Sequence, residues 1–158
     1  KQKLFSDNDE RMIFFTKGVI ETVKKLNWSP DIIHLHGWFT SLFPLYLKTY
    51  YKDEPIFANS KIVTSVYAKD FDKVISKNLY DKVAFDNIPL ELISLLKKAS
   101  FENLIKLSIE FSDGYAIADI ETPKSIQDYL SDYSIPGLTF EDSQKKDAFV
   151  NFYSTNIL

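Results

Sequence analysis

Apolar residues recur at helical spacing through residues 7–27, where Met12, Phe15, Val19, Val23 and Leu26 fall on one stripe and Ile13, Phe14 and Ile20 widen it. Ser6 or Asp7 can cap such a helix, and acids fill its first turn. A stripe this wide predicts a helix lying between layers of a larger body, not on an open surface. Trp28-Ser29-Pro30 ends it. The period then changes. Asp31-Ile32-Ile33-His34-Leu35-His36 is a short β-branched and apolar run stopped by Gly37, which reads as a strand buried on both faces of a parallel sheet. Helical spacing resumes over residues 38–51 through Leu42, Leu45, Tyr46 and Tyr50, with Pro44 admissible only in the first turns. After the polar Asp53-Glu54-Pro55, residues 61–67 read as the next strand, completing a βαβ unit with a right-handed crossover.

Residues 68–89 carry no clear period and read as irregular. Two helical patterns follow, over Leu90–Lys98 and residues 101–111, the second carrying Leu104, Ile105, Leu107, Ile109 and Phe111. Tyr115-Ala116-Ile117-Ala118 reads as a third strand, and residues 123–130 as a helix with Thr122 as cap and Pro123 at its first position. Pro136-Gly137 reads as a turn, and residues 142–153 as a last helix with Ala148, Phe149 and Phe152 on its apolar side. This order belongs to an α/β three-layer sandwich, part of a Rossmann-like, doubly wound parallel sheet. Such a sheet normally opens with a strand and this order opens with a helix, so upstream strands are expected outside these residues. Lys1 in place of an initiator Met suggests a trimmed or incompletely ordered product.

Composition narrows the function classes. The 158 residues, 45% hydrophobic, suit one core. A net charge of -3, with lysines dispersed among acids, argues against a general affinity for nucleic acid, which needs clustered cations. With no cysteine there is no disulfide, thiolate metal site or cysteine nucleophile, and a reducing, cytoplasmic location is the expectation. No stretch has the apolar length to cross a bilayer, and Lys1-Gln2-Lys3 leads into Leu4-Phe5 and a polar cluster, not a signal core. No membrane partner is expected. The glycines Gly18, Gly37, Gly114 and Gly137 are too scattered to build a diphosphate cradle, and no cofactor is implied. The 13 Phe and 9 Tyr suggest an aromatic core before they suggest a ligand platform.

Three blocks carry more specific information. The first is Asp7-Asn8-Asp9-Glu10-Arg11 with Phe14-Phe15 and Glu21. The second runs Trp28-Ser29-Pro30-Asp31-Ile32-Ile33-His34-Leu35-His36-Gly37-Trp38-Phe39-Thr40-Ser41-Leu42 and on to Pro44 and Tyr46-Leu47. The third is Asn103 and Lys106 through Ser112-Asp113. In order, they resemble the DN..RF.FF....E helix, the W.PDIIH.HDWHT.L.P.YL signature and the N..K.GI.YAD helix end of the glycogen and starch synthases. These are retaining glucosyltransferases that build α-1,4-glucan from ADP-glucose or UDP-glucose. The resemblance implies a GT-B architecture in which residues 1–158 are the C-terminal portion of the N-terminal domain. A second Rossmann domain or a homo-oligomeric copy is the implied partner.

The sequence also departs from that pattern. Gly37 stands for the family's Asp and Phe39 for its second His; Val66-Tyr67-Ala68-Lys69 stands where the family shows T.HN...QG; Ala118-Asp119-Ile120 replaces TVS..Y. Neither the K.GGL phosphate loop nor the second Rossmann domain is among these residues, so this segment alone is expected not to transfer glucose. A non-catalytic glucan-binding or regulatory relative with a degenerate sugar site is the alternative, and an α/β scaffold for protein association is a third reading.

The resemblance places His36 beside the donor glucose, at the carboxyl end of a strand, where a neutral imidazole can hydrogen-bond a sugar hydroxyl. The same His can instead be satisfied within a packed turn. His34 faces the same side of an ideal strand, but no third ligand stands at a suggestive spacing, so no metal is expected. Asp7, Asn8 and Arg11 suit the vicinal hydroxyls of an acceptor glucan. The account without a ligand has Asp7 capping the helix, Asn8 solvated and Arg11 paired with a nearby acid. Trp38 can stack on a sugar or serve the core. Asp53-Glu54 and Asp9-Glu10 read as solvated faces, not as acid/base pairs.

Overall fold

A computed structural model of the chain describes residues 4–158, and the Lys1-Gln2-Lys3 stretch lies outside the described residues. The elements run α1 (Asn8–Lys25), β1 (Ile32–His36), α2 (Phe43–Lys48), β2 (Lys61–Val66), α3 (Leu79–Ala84), α4 (Phe101–Glu110), β3 (Gly114–Ile117), α5 (Lys124–Ser131), β4 (Gly137–Leu138), α6 (Phe140–Ser143) and α7 (Ala148–Phe152). Single 3-10 turns lie at Trp38–Thr40 and Pro55–Phe57, a longer 3-10 helix at Leu90–Lys98, and a π turn at Tyr153–Ile157. Among the described residues the four strands are parallel and follow one another across the sheet in sequence order, with His34 beside Val63 and Val63 beside Gly114.

Strand alternation divides the side chains between two different layers. Ile33, Leu35, Ile62 and Val66 join the main core, where Leu45 of α2, Leu104 and Leu107 of α4 and Ile126 of α5 meet them. The other face carries Ile32, His34, His36, Val63 and Ser65. Its cover is the C-terminal stretch, which packs Phe152, Tyr153 and Ile157 on Val63 and Ile32. Gly114 makes this approach possible: a Cβ there would stand 2.4 Å from Ile157 Cδ1 and 3.2 Å from the Pro136 carbonyl oxygen. The expected α/β three-layer arrangement is present, with a thick helical layer, the parallel sheet and a thin C-terminal layer.

Differences from the sequence reading have local causes. The helix expected over residues 38–51 divides into the turn Trp38–Thr40 and α2, whose Phe43, Pro44, Leu45, Tyr46 and Leu47 are all buried. Within the supposedly irregular residues 68–89, α3 forms on buried Leu79 and Val83, one helical turn apart. Charge then ties it down: Lys82 reaches Asp9 at 2.7 Å and Glu10 at 2.9 Å, while Lys17 and the Tyr46 hydroxyl each donate to Asp86 at 2.6 Å. Leu90–Lys98 winds as a 3-10 helix, which aligns residues three apart and puts Ile93 and Leu96 together in the core. Gly137, expected in a Pro136-Gly137 turn, instead opens β4, in which Gly137 and Leu138 pair with Tyr115 and Ala116. The last helix is interrupted at Asp147, whose φ of 57° is left-handed and incompatible with a continuing right-handed helix.

A cleft at the carboxyl ends of the strands

The carboxyl ends of β1, β2 and β3 open into a cleft of about 520 Å³, bounded by residues 36–39, residues 67–70, Asp119 and Phe101. Parallel α/β sheets hold ligands at this end because the strands stop there and loops can present side chains without disturbing the ladder. The volume lies within the range of small-molecule sites, about 300–1,000 Å³. A smaller hollow of about 200 Å³, lined by Phe5, Asn8, Arg11 and Phe71, shares Trp38, Phe39 and Asp70 with the cleft.

His36, the last residue of β1, is exposed in this cleft. Its Nδ1 lies 2.9 Å from the Tyr67 hydroxyl, and its ring stacks on His34 with centroids 4.2 Å apart and planes tilted by 35°. Beneath it, His34 has both ring nitrogens engaged, Nε2 with Ser65 Oγ at 2.7 Å and Nδ1 with the Tyr153 hydroxyl at 2.5 Å. Burial, assisted by neighbouring His36, pushes the His34 pKa down to about 4, so its imidazole is neutral at pH 7. With its nitrogens so occupied, His34 is not available to chelate with His36. Among the described residues no group of three His, Cys, Asp or Glu side chains is placed to hold a metal ion.

Gly37 follows with φ 74° and ψ 171°, a backbone region essentially reserved for glycine. A Cβ there would meet nothing within 4 Å, so conformation and not space explains glycine where the resemblance expects Asp. Phe39 replaces a polar side chain with packing: its ring meets Phe15 of α1 edge-on at 5.5 Å and Trp38 at 5.5 Å. Trp38 is partly buried. Its indole N–H donates to Asp70 at 2.7 Å and its ring meets Phe71 edge-on at 5.1 Å, so it is held as the wall between the two hollows.

The α1 residues divide. Asp7 makes no side-chain cap; its carboxylate accepts from Arg11 Nε at 2.9 Å instead, because the two stand one helical turn apart. Arg11 therefore does pair with a nearby acid, and its guanidinium also lies 5.0 Å above the Phe5 ring. Asn8 is not solvated. It is only 5% exposed and lines the smaller hollow with Arg11, enclosed where α1 meets Phe71 and the Trp38–Phe39 turn.

The structure thus gathers His36 and Trp38 in the cleft and Asn8 and Arg11 in the hollow beside it, while Asp7 touches the hollow only through Arg11. Sequence reasoning missed Tyr67, Lys69 and Asp70 as cleft residues. Tyr67 was legible as the end of a strand that neighbours β1, which was the available signal. Asp70 offered none, since its partner Trp38 is distant in sequence and the segment between β2 and α3 lacks a period.

Comparison with known proteins bears on the family of the chain. Residues 1–129 match the family described as the starch synthase catalytic domain. The chain is similar to the glycogen synthase of Chlorobium luteolum, with 36% identity over 107 residues, 67% of this chain and 21% of that protein. It is also similar to the glycogen synthases of Pelodictyon phaeoclathratiforme, 30% identical over 87% of this chain and 27% of the relative, and of Clostridium perfringens, 30% identical over 92% and 30%. The aligned part therefore spans between about a fifth and three-tenths of these relatives. No solved structure matches the chain, and among the described residues no helix is long and apolar enough to cross a membrane. With the three sequence blocks assembled on one parallel sheet and most of its length matched, the chain belongs to the starch synthase catalytic domain family.

Proposed function

We propose that residues 1–158 form the C-terminal portion of the N-terminal domain of a glycogen or starch synthase, and that the larger cleft takes the glucosyl end of ADP-glucose or UDP-glucose. On this reading the smaller hollow takes the end of an α-1,4-glucan. The observation that carries it is the shared wall: Trp38, Phe39 and Asp70 line both the hollow with Asn8 and Arg11 and the cleft with His36. Glycosyl transfer requires donor and acceptor to meet in a fixed geometry, and two adjoining hollows divided by one wall suit that need. In the reaction glucose C1 leaves a phosphate oxygen of the nucleotide and bonds to a glucan hydroxyl oxygen, releasing nucleoside diphosphate and one proton.

His36 would hydrogen-bond a glucosyl hydroxyl or stabilise charge developing on the ring. Asn8 and Arg11 would hold acceptor hydroxyls, with Asp7 orienting Arg11 through their ion pair. Of the residues that line the cleft, Lys69 alone is a lysine or arginine. The diphosphate contacts are therefore assigned to a second Rossmann domain of the same protein.

The test is incorporation of glucose from ADP-glucose and from UDP-glucose into glycogen by the complete polypeptide. Turnover with at least one donor is expected, with His36→Ala lowering kcat/KM by about 100-fold, the scale of removing one well-placed polar group from a transition state. Donor binding without incorporation would favour the non-catalytic glucan-binding relative. Failure to bind either donor contradicts the assignment.

A further inference from the structure

Two stacked imidazoles on the same sheet face are each held by a tyrosine at Nδ1. The Tyr153 hydroxyl meets His34 and the Tyr67 hydroxyl meets His36, and the phenols come from different elements: the π turn and the residue just after β2. For His34 the pattern closes on both sides, since Ser65 Oγ occupies Nε2. For His36 it does not. Among the described residues Nε2 of His36 has no hydrogen-bond partner, and this ring lines the cleft.

We propose that Tyr67 is a positioning residue that fixes the tautomer of His36, donating its hydroxyl hydrogen to Nδ1 so that the ring carries its proton on Nε2 and offers an N–H to the cleft. A neutral imidazole has one donor and one acceptor nitrogen, and the hydrogen bond made by one decides the role of the other. The Tyr67 hydroxyl has no second acceptor among the described residues, so donation to His36 is the arrangement that satisfies its hydrogen. His34, neutral at 4.2 Å between centroids, places no cation against the His36 ring. The consequence concerns specificity. An N–H at Nε2 selects an oxygen that accepts, which on the functional reading above is a hydroxyl of the transferred glucose. This step rests on that reading; the tautomer itself does not. The Val66-Tyr67-Ala68-Lys69 stretch, which stands where the family shows T.HN...QG, is then a replacement in which Tyr67 works through His36.

The test is the nitrogen spectrum of 15N-histidine-labelled protein near pH 7.5, where the two histidines of this chain supply four ring signals. For His36, Nδ1 is expected in the unprotonated range and Nε2 in the protonated range. Tyr67→Phe should draw the two His36 signals together as tautomers mix, while the His34 signals stay in place and certify the fold. In the complete polypeptide, Tyr67→Phe should raise KM for the nucleotide sugar about fivefold, as expected for one misdirected hydrogen bond. A native protein whose His36 is protonated at Nδ1 overturns the proposal without any variant, as does a Tyr67→Phe spectrum unchanged at His36. If the spectra behave as expected and no donor binds, the functional reading fails and the role of Tyr67 on His36 stands.

Discussion

The two faces of β1 and β2 have divergent tasks. Ile33, Leu35, Ile62 and Val66 enter the main core beside α2, α4 and α5, whereas His34, His36 and Ser65, alternating with them along the same strands, form a polar row that ends in the cleft. Leu35 and His36 are consecutive residues, one buried in the core and the other exposed in the cleft. The sheet separates the two because successive side chains along a strand point to opposite faces. Substitutions on the core face should therefore act on stability alone, and those near the cleft mostly on ligand contacts.

The largest expected effect lies on the core face. Leu104→Ala empties a fully buried position in α4 and should cost about 2–5 kcal/mol in urea unfolding. A loss below about 1 kcal/mol would show that this face is not the closed core described.

A smaller effect sharpens the contrast, because His34 lies on the polar face yet is partly buried. Its folded pKa, about 4, is below the ordinary histidine value of about 6.5, so the unfolded chain binds more protons between those limits. Its contribution to stability is complete above about pH 6.5 and is lost as pH falls toward 4, by on the order of 1–3 kcal/mol after allowance for partial exposure. His34→Gln should remove that share of the pH dependence. Subtracting unfolding curves of the variant from those of the native protein at pH 7.5, 5.5 and 4.5 isolates it from the carboxylates, and a constant difference would contradict the buried neutral imidazole.

Smallest of all is Asp7→Ala. The Asp7–Arg11 pair is about half exposed on both sides, so the change should move stability by less than about 0.5 kcal/mol. Glycogen retention on an affinity column should fall instead, since Arg11 loses its anchor in the smaller hollow. A large destabilisation with unchanged retention would make this end of α1 a structural element only.

The strands and helices with sustained periodicity were legible from composition and spacing, and α1, β1, β2 and α4 stand within a few residues of where the pattern puts them. What escaped had little local signal. Helix α3 fully buries Leu79 and Val83 alone and depends on distant partners, Asp9 and Glu10 for Lys82 and Lys17 and Tyr46 for Asp86. Strand β4 is two residues long and exists through backbone pairing with β3, which no side-chain pattern reveals. The candidate site was legible as far as a single strand and its turn carried it, in His36, Gly37 and Trp38. Tyr67 was signalled only by its place at the end of a strand that neighbours β1, and the Asp70 carboxylate became visible only once the chain had folded against Trp38.

The central claim is that His36 contacts a nucleotide sugar at the carboxyl end of β1, and the histidine ring nitrogens report on it directly. During titration of the complete protein with ADP-glucose and then UDP-glucose, a saturable shift of His36 Nε2 is expected with at least one donor, with His34 largely unmoved. Donor binding that leaves His36 unshifted, or shifts both rings alike, would contradict it.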